Sequence, residues 1–294
     1  MYDQPIQIQR LNPPWCRNIH CEVLRLDQIH PVVSGNKWFK LRYYLADAKA
    51  SGCSTIATFG GAWSNHLVAT AFACREAGLR SLGIVRGEAP AALSSTLRDA
   101  MAYGMELVFV SRTRFHQKDE IKNGFGQEYF WVDEGGYGIR GMEGAAGILD
   151  LVPENNYSHI ICACGTGTTL AGLVQASAQW QHCVGITVLK GHTSLAAEVN
   201  RLVVETNKQN RFTVVHDYHF GGYAKHPPEL LEWMNDLWRQ TGLPTDIVYT
   251  GKLLFAVKDL IQKQFFDSGD KLLIIHSGGL QGNRSLPEGT LEFS

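Results

Sequence analysis

One stretch shows the unit from which this chain is built: Thr55-Ile56-Ala57-Thr58-Phe59-Gly60-Gly61-Ala62-Trp63-Ser64-Asn65-His66. Its first five residues are mostly apolar and prone to form a β-strand, and the two glycines that follow interrupt that strand. Ser64 and Asn65 are residue types that cap a helix, which we place at residues 65–77. A strand, a glycine turn and a helix in this order predict a βα unit.

Strands and helices alternate along the rest of the chain in the same way. Strand-like runs occur at residues 6–9, 22–26, 81–85, 106–110, 129–132, 159–164, 184–188 and 271–275. Strands separated by helices pair in parallel, because the helix returns the chain to the edge at which the previous strand began. The sequence therefore predicts an α/β fold made of βαβ units. Residues 112–128 are polar and lack a pattern, so we expect them to be irregular, and Pro153 is a plausible seam between two lobes.

Composition limits the function. The chain has 294 residues, 45% of them hydrophobic and 19% charged, so it can bury a large core and form two domains. Its net charge of −1 gives no electrostatic reason to expect nucleic acid or a membrane surface as a partner. Residues 1–5 have no signal-peptide character, and no apolar run is long enough to span a bilayer. The seven cysteines are scattered, and the close pair Cys162 and Cys164 lies in a strand rather than in a zinc knuckle. We therefore expect a reduced cytoplasmic protein without a metal site.

Two lysines lie at the start of a predicted helix, in Ser34-Gly35-Asn36-Lys37-Trp38-Phe39-Lys40-Leu41. Asn36 is a good helix N-cap, and Lys37 and Lys40 would then share one face of the helix. A like charge nearby lowers the pKa of an amine, and a lysine with a lowered pKa can form a Schiff base with a carbonyl group. The alternative is a solvated helix start with two surface lysines.

A second loop has the features of a phosphate site. Gly165, Thr166, Gly167, Thr168 and Thr169 follow an apolar strand and open a helix, where backbone N–H groups and the helix dipole can hold an anion. The loop is not a P-loop, because it lacks the Gly-Lys-Ser/Thr ending. It also lacks the dinucleotide fingerprint, because Leu170 stands where a glycine is expected. The hydroxyl groups suit one compact phosphate, although a simple tight turn is an alternative.

Three further sites are open to two interpretations. Ser64 and Asn65 could hold a carboxylate or merely cap a helix, and His66 could simply be a surface histidine. The run His276-Ser277-Gly278-Gly279 could be only a turn after a strand. Tyr223 and Tyr249 are of a type that usually packs, and Thr250 is a good cap for the helix that follows it.

Taken in order, these motifs resemble the 1-aminocyclopropane-1-carboxylate deaminase and D-cysteine desulfhydrase family. The matching runs are Gly35-Asn36-Lys37-x-x-Lys40-Leu41, Gly60-Gly61-x-x-Ser64-Asn65-His66, Gly165–Thr169, Tyr249-Thr250-Gly251-Lys252 and His276-Ser277-Gly278-Gly279. The family consists of pyridoxal-phosphate enzymes of the tryptophan-synthase-β type. The resemblance therefore implies open, twisted, mostly parallel sheets with helices on both faces. It also implies a large cofactor domain (residues 1–47 and 151–294), a small domain (residues 48–150) and a homodimer.

The resemblance also implies roles for single residues. Lys37 matches the lysine that forms the Schiff base with pyridoxal 5'-phosphate, and Asn65 matches the asparagine beside the cofactor's 3-hydroxyl. The other implied cofactor ligands are Gly165, Thr166, Gly167, Thr168, Thr169 and Thr250. Ser64, Tyr249 and, by a looser match, Tyr223 join Lys37 as catalytic residues, and the implied substrate-binding residues are Ser64, Asn65, His66 and Ser277.

Two positions bear on the reaction. The deaminase branch looks to have glutamate at the position of Thr250 and leucine at that of Ser277, whereas both residues here resemble the desulfhydrase branch. A carboxylate against the pyridine nitrogen would make the ring a stronger electron sink, which opening a cyclopropane needs. The resemblance therefore favours a lyase that converts a small amino acid such as D-cysteine into sulfide, ammonia and pyruvate. Deamination of 1-aminocyclopropane-1-carboxylate, or cofactor binding without turnover, remain alternatives.

Overall fold

The computed structural model describes residues 6–153 and 156–293. Residues 1–5, from which we expect no targeting segment, lie outside them. The strands are β1 (Ile8–Leu11), β2 (His20–Arg25), β3 (Thr55–Gly60), β4 (Arg80–Arg86), β5 (Met105–Val110), β6 (Tyr129–Val132), β7 (His159–Cys164), β8 (His182–Thr187), β9 (Phe212–Val215) and β10 (Lys271–His276). The helices are α1 (Asn36–Ala50), α2 (Asn65–Glu76), α3 (Ser95–Ala102), α4 (Arg112–Phe115), α5 (Lys118–Asn123), α6 (Ile139–Ala146), α7 (Thr168–Ala176), α8 (Leu195–Leu202), α9 (Pro228–Thr241) and α10 (Thr250–Gln262).

The strands form two sheets. The larger has the order β1-β2-β10-β7-β8-β9 and is parallel except for the antiparallel pair β1 and β2. The smaller has the order β5-β4-β3-β6 and is entirely parallel. All six residues of β3 are buried, as expected for a central strand that is covered on both faces. The predicted α/β fold with mostly parallel sheets is confirmed.

Helices cover both faces of the larger sheet. Alternate residues of β10 show this, because Ile274 packs with residues of α9 and α10 while Leu273 packs with residues of α6, α7 and α8. Side chains alternate between the faces of a strand, so adjacent residues enter different cores. The smaller sheet is covered by α4 and α5 on one face and by α2 and α3 on the other.

The strands of the smaller sheet all come from residues 55–132, and those of the larger sheet come from the two flanking parts of the chain. Helix α6 lies in the chain between β6 of the smaller sheet and β7 of the larger sheet. Although it precedes residue 150, it buries Met142 and Ala145 in the core of the larger sheet. The division at residues 47/48 and 150/151 therefore stays a prediction about domains.

Some local predictions are wrong. Residues 112–128 are not irregular throughout, because they contain α4 and α5, whose Phe115 and Ile121 are buried against the smaller sheet. Helix α1 has Gly35 rather than Asn36 as its N-cap, and Asn36 is its first residue.

Within residues 6–153 and 156–293, every helix is too short or too polar to pass through a lipid bilayer.

Candidate active site

A cavity of about 480 Å³ lies where the carboxyl ends of the two sheets face each other. Ligands of open α/β sheets bind at this edge, because loops there lead into helix N-termini. The predicted site residues that line the cavity are Lys37, Ser64, Asn65, His66, Gly165, Thr166, Gly167, Thr169, Tyr223, Tyr249 and Ser277. Two predicted residues, Thr168 and Thr250, do not line it.

Lys37 is held at the cavity by a close contact between two loops. Gly35 has φ 68° and ψ −150°, a backbone conformation that is nearly restricted to glycine. A Cβ atom at Gly35 would lie 1.8 Å from the carbonyl oxygen of Ser277, so a side chain there would push the loops apart. This contact fixes where α1 begins and hence where Lys37 enters the cavity.

Burial controls the charge of both lysines. It lowers the pKa of Lys37 to about 8, and the carboxylate of Asp246 opposes that shift. Burial also lowers the pKa of Lys40 well below its ordinary value, and the charge of Lys37 adds to this effect. The low pKa that we expected for Lys37 is thus present, but its cause is burial rather than repulsion by Lys40.

The side chain of Asn36 connects the lysine with the loop of residues 165–169. Its Nδ2 donates to Oγ1 of Thr169 at 2.8 Å, and its Oδ1 accepts from Nζ of Lys37 at 3.0 Å. Gly167, at φ 76°, is the N-cap of α7 and, as a glycine, has no side chain that could accept a hydrogen bond from the first N–H groups of that helix. The first turn of α7 can therefore bind an anion that lies near Lys37.

The start of α2 offers hydrogen-bond donors for a second anion. Ser64 is the N-cap of α2, yet its hydroxyl makes no capping hydrogen bond. Oδ1 of the adjacent Asn65 is buried without a partner among the described residues. The side chain of Ser64 therefore does not cap α2, and Ser64, Asn65 and His66 line the cavity at the start of that helix.

His66 is buried rather than on the surface, since only 2% of it is exposed. Thr58 donates its hydroxyl proton to the carbonyl oxygen of Val132 at 2.7 Å, so it must accept the hydrogen bond that joins it to Nε2 of His66 at 2.9 Å. His66 is therefore protonated on Nε2. Burial lowers its pKa well below the ordinary value, and the charges of Lys37 and Lys40 add to this, which keeps the ring neutral.

Tyr223 and Tyr249 meet at one side of the cavity. Their rings are 6.3 Å apart between centroids and 76° from coplanar, an edge-to-face arrangement. Burial raises the pKa of Tyr249 well above its usual value, and the neighbouring Tyr223 contributes further. Both tyrosines line the cavity, and at neutral pH the hydroxyl of Tyr249 is a proton donor.

Comparison with known proteins identifies the family. The pattern of pyridoxal-phosphate-dependent enzymes matches residues 6–278. This chain belongs to that family. A relative from Pyrococcus abyssi, named "Putative 1-aminocyclopropane-1-carboxylate deaminase", is 31% identical over 290 residues, which are 89% of this chain and 84% of the relative. The mitochondrial bifunctional D-cysteine desulfhydrase/1-aminocyclopropane-1-carboxylate deaminase of Arabidopsis thaliana is 27% identical, over 95% of this chain and 77% of the relative.

The solved structures agree with the sequence comparison. The crystal structure of a 1-aminocyclopropane-1-carboxylate deaminase homologue is similar with a TM-score of 0.83 and 27% identity, and the match covers 96% of this chain and 91% of that one. The predicted membership of the deaminase and desulfhydrase family is confirmed, and the protein is a pyridoxal-phosphate-dependent lyase.

The cavity fits pyridoxal phosphate. It offers an amine of low pKa at Lys37, a helix start without a side-chain cap at residues 165–169, and the unpartnered buried amide oxygen of Asn65. These groups suit an aldehyde, a phosphate and a ring hydroxyl, respectively. No cluster of three or more His, Cys, Asp or Glu with metal-binding geometry occurs in the described part of the chain.

Thr250 and Thr168 lie behind the cavity wall. Thr250 is fully buried, and its hydroxyl donates to Oδ1 of Asp246 at 2.6 Å. Asp246 also accepts hydrogen bonds from the backbone N–H groups of Val248, Tyr249 and Thr250. Thr168 shares a hydrogen bond of 3.0 Å with the hydroxyl of Thr166, which does line the cavity. The proposed contact of Thr250 with the cofactor remains a prediction.

Several lining residues could not be found from the sequence. Arg86 at the end of β4, Glu134 after β6 and Lys40 in α1 all reach the cavity. Arg86 and Glu134 have no local motif, and the only available signal was that each lies within two residues of the end of a predicted strand. Lys40 is in a quoted motif, but the sequence indicates only that it is near Lys37.

Proposed function

We propose that this protein removes a leaving group from Cβ of a small amino acid, and that D-cysteine is its substrate. The products would be sulfide, ammonia and pyruvate. The observation that carries the proposal is that one cavity is lined by Lys37, by the start of α7 and by the start of α2, two helix starts at which an anion could be held. A cofactor phosphate and a substrate carboxylate need two such sites on either side of the reacting amine.

Each residue then has a definite task. Residues 165–169 would hold the phosphate through N–H groups and the hydroxyls of Thr166 and Thr169, and Lys37 would bind the aldehyde. Ser64 and Asn65, at the start of α2, would orient the substrate carboxylate. When bound, the cofactor supplies a ring that stabilises negative charge at the substrate's Cα.

Lys37 and Tyr249 can move the two protons that the reaction requires. An amine with a pKa of about 8 is partly neutral at physiological pH, so Lys37 can accept the Cα proton once the substrate amine has displaced it. The Cβ–S bond then breaks with its electron pair on sulfur. Tyr249 is still protonated and can donate to the departing thiolate, and water releases ammonia and pyruvate.

The charges around the cavity favour elimination over cyclopropane opening. Among the described residues, Glu134 is the only carboxylate that lines the cavity, and its Oε2 lies 3.4 Å from Nζ of Lys118. Asp246 lies behind Thr250 with both oxygens hydrogen bonded. A ring nitrogen without its own carboxylate is a weaker electron sink, which suffices to remove an α-proton from a substrate with a good leaving group.

A panel of amino acids tests this proposal. The holoenzyme is incubated with D- and L-cysteine, D- and L-serine and 1-aminocyclopropane-1-carboxylate, and ammonia, sulfide and 2-oxo acids are measured. We expect sulfide and pyruvate from D-cysteine. If 2-oxobutanoate forms from 1-aminocyclopropane-1-carboxylate while D-cysteine is inert, the ranking is reversed.

Deamination of 1-aminocyclopropane-1-carboxylate is the second candidate, because the Pyrococcus abyssi relative carries that name at 31% identity. If no compound in the panel reacts although the cofactor is bound, the protein would be a cofactor-binding homologue without turnover.

We further propose a cytoplasmic homodimer. All seven cysteines are free, as a reducing compartment would keep them, and light scattering on a sizing column would measure the mass.

A further inference from the structure

Lys252 is a buried lysine with no assigned role. It is the third residue of α10, and none of its surface is exposed. A buried ammonium group is costly unless its N–H donors are satisfied. Its Nζ donates to the carbonyl oxygen of His219 at 2.9 Å and to that of Gly222 at 2.7 Å.

Both carbonyl groups belong to the segment between β9 and α9, which has an unusual backbone. Phe220, Gly221, Gly222 and Ala224 all have positive φ, and two of these are not glycines. Non-glycine residues adopt this conformation only where the surroundings hold them in it. Within the segment, backbone hydrogen bonds close one turn from Gly222 N to His219 O and another from Lys225 N to Gly222 O. Lys252 thus binds the same two carbonyls that close the turns.

The segment carries Tyr223 into the cavity. Tyr223 follows Gly222 directly and lines the cavity together with Ala224. Tyr249, its ring partner, lies three residues before Lys252 at the start of α10. One helix start therefore provides one tyrosine of the pair and, through Lys252, holds the loop that provides the other.

We infer that Lys252 is a positioning residue that fixes Tyr223 against Tyr249 by binding the carbonyl groups of His219 and Gly222. Its importance for turnover rests on the proposed function and on the catalytic role that the family resemblance implies for Tyr223. Burial lowers the pKa of Lys252 to about 8, and the carboxylate of Asp246 opposes this shift. The amine therefore binds its proton less tightly than a lysine on the surface.

Hydrogen exchange measures the anchoring directly. Lys252→Met removes the donors and keeps an unbranched side chain, and Lys258→Met is the matched control, since Lys258 is on the same helix and lies over the ring of Trp233. In the holoenzyme without substrate, we expect the amides of residues 219–225 to exchange on the order of tenfold faster in Lys252→Met only. Equal exchange in wild type and Lys252→Met would overturn the inference. If Lys252→Met does not fold, Lys252→Leu, which also lacks the donors, provides the same comparison.

A double-mutant cycle tests whether Lys252 acts through Tyr223. We expect Lys252→Met to lower kcat/KM on the order of 10–100-fold in the wild-type background, and to have less than about a twofold effect in Tyr223→Phe. Equal losses in both backgrounds would mean a general structural role and contradict the inference. Because the exchange measurement needs no substrate, it decides the anchoring even if no amino acid is turned over, in which case only the proposed function fails.

Discussion

Lys37 lies at the start of α1 with its amine inside the cavity, and burial lowers its pKa to about 8. Only a neutral amine attacks an aldehyde, so the reactive fraction of Lys37 at physiological pH is far larger than that of a solvated lysine. Its neighbour Lys40 is more deeply buried, and its Nζ donates to the carbonyl oxygen of Gly135 at 3.3 Å. The two lysines of the motif therefore have separate environments and, we expect, separate tasks.

The pKa of Lys37 gives a prediction for cofactor loading. The neutral fraction rises as pH rises through about 8, so the rate of loading the apoprotein should rise over the same range and level off above it. The rate is read as the fraction of Lys37 modified after timed reduction with borohydride. A small free amine, measured in parallel, corrects for ionisation of the cofactor. If the loading rate reached half of its maximum only near pH 10.5, the ordinary pKa of a lysine, the role of burial would be contradicted.

At the scale of elements, the position of α1 depends on two loops that meet backbone to backbone. Gly35 contacts Ser277 so closely that an added Cβ would lie within 1.8 Å of its carbonyl oxygen. The same loop contact also restricts position 278 to glycine, because a Cβ atom added to Gly278 would lie 3.0 Å from Cα of Gly35. The late strand β10 and the early helix α1 thus define the Lys37 side of the cavity together.

Two glycine substitutions compare Gly35 with a glycine that also has positive φ but has open space around it. Gly52 has positive φ, but no described residue would lie within 4 Å of a Cβ atom added there, so we expect Gly52→Ala to lose about 1–2 kcal/mol in the free energy of unfolding. Gly35→Ala should lose about 2 kcal/mol more, because it also overpacks the loop contact. Urea unfolding of both variants measures the difference. Equal losses of unfolding free energy in Gly35→Ala and Gly52→Ala would show that the loops of Gly35 and Ser277 can move apart at no cost.

How far the sequence predicted the structure also differs between elements. Strands such as β3 and β7 have long apolar runs that end in glycine, so they were predictable. Helices α4 and α5 were not, because each has few residues and buries only one large apolar side chain, Phe115 or Ile121, which is too little to give a helical period. The position of β9 was missed for a similar reason, since its four residues are only partly buried.

The same difference holds for the candidate site. Loops with glycines and hydroxyls next to strands were predictable from local chemistry. The burial of His66 and the approach of Arg86 and Glu134 were not, because these follow from how the two sheets face each other. Asn36 shows the limit clearly: its residue type suggests a cap, whereas its amide binds Thr169, 133 positions further along the chain.

At the scale of the whole molecule, the cofactor would join two separately built sheets. Residues 60–66 follow a strand of the smaller sheet, and residues 165–169 follow a strand of the larger one. A ligand that contacts both loops binds only the folded, assembled form. Its binding free energy therefore adds to the stability of the entire protein.

This gives a prediction for thermal unfolding. At a free cofactor concentration of 100 times Kd, we expect about 2.7 kcal/mol of added stability and a raised Tm. Hydrogen exchange should slow in both loops, at residues 60–66 and 165–169. Lys37→Ala should reduce the shift in Tm, whereas Lys49→Ala, at an exposed position near the end of the same helix, should leave it unchanged. Protection of one loop alone would mean that the ligand does not bridge the sheets.

The most direct test of the account is to find the lysine that carries the cofactor. The protein is loaded with pyridoxal phosphate, reduced with borohydride, digested and analysed by mass spectrometry. We expect one modified lysine, Lys37, and we expect Lys37→Ala to lose the absorbance band that the Schiff base between cofactor and lysine gives at the edge of the visible range. Modification of Lys40 or Lys252 in place of Lys37, or no modification of a loaded protein, would contradict it.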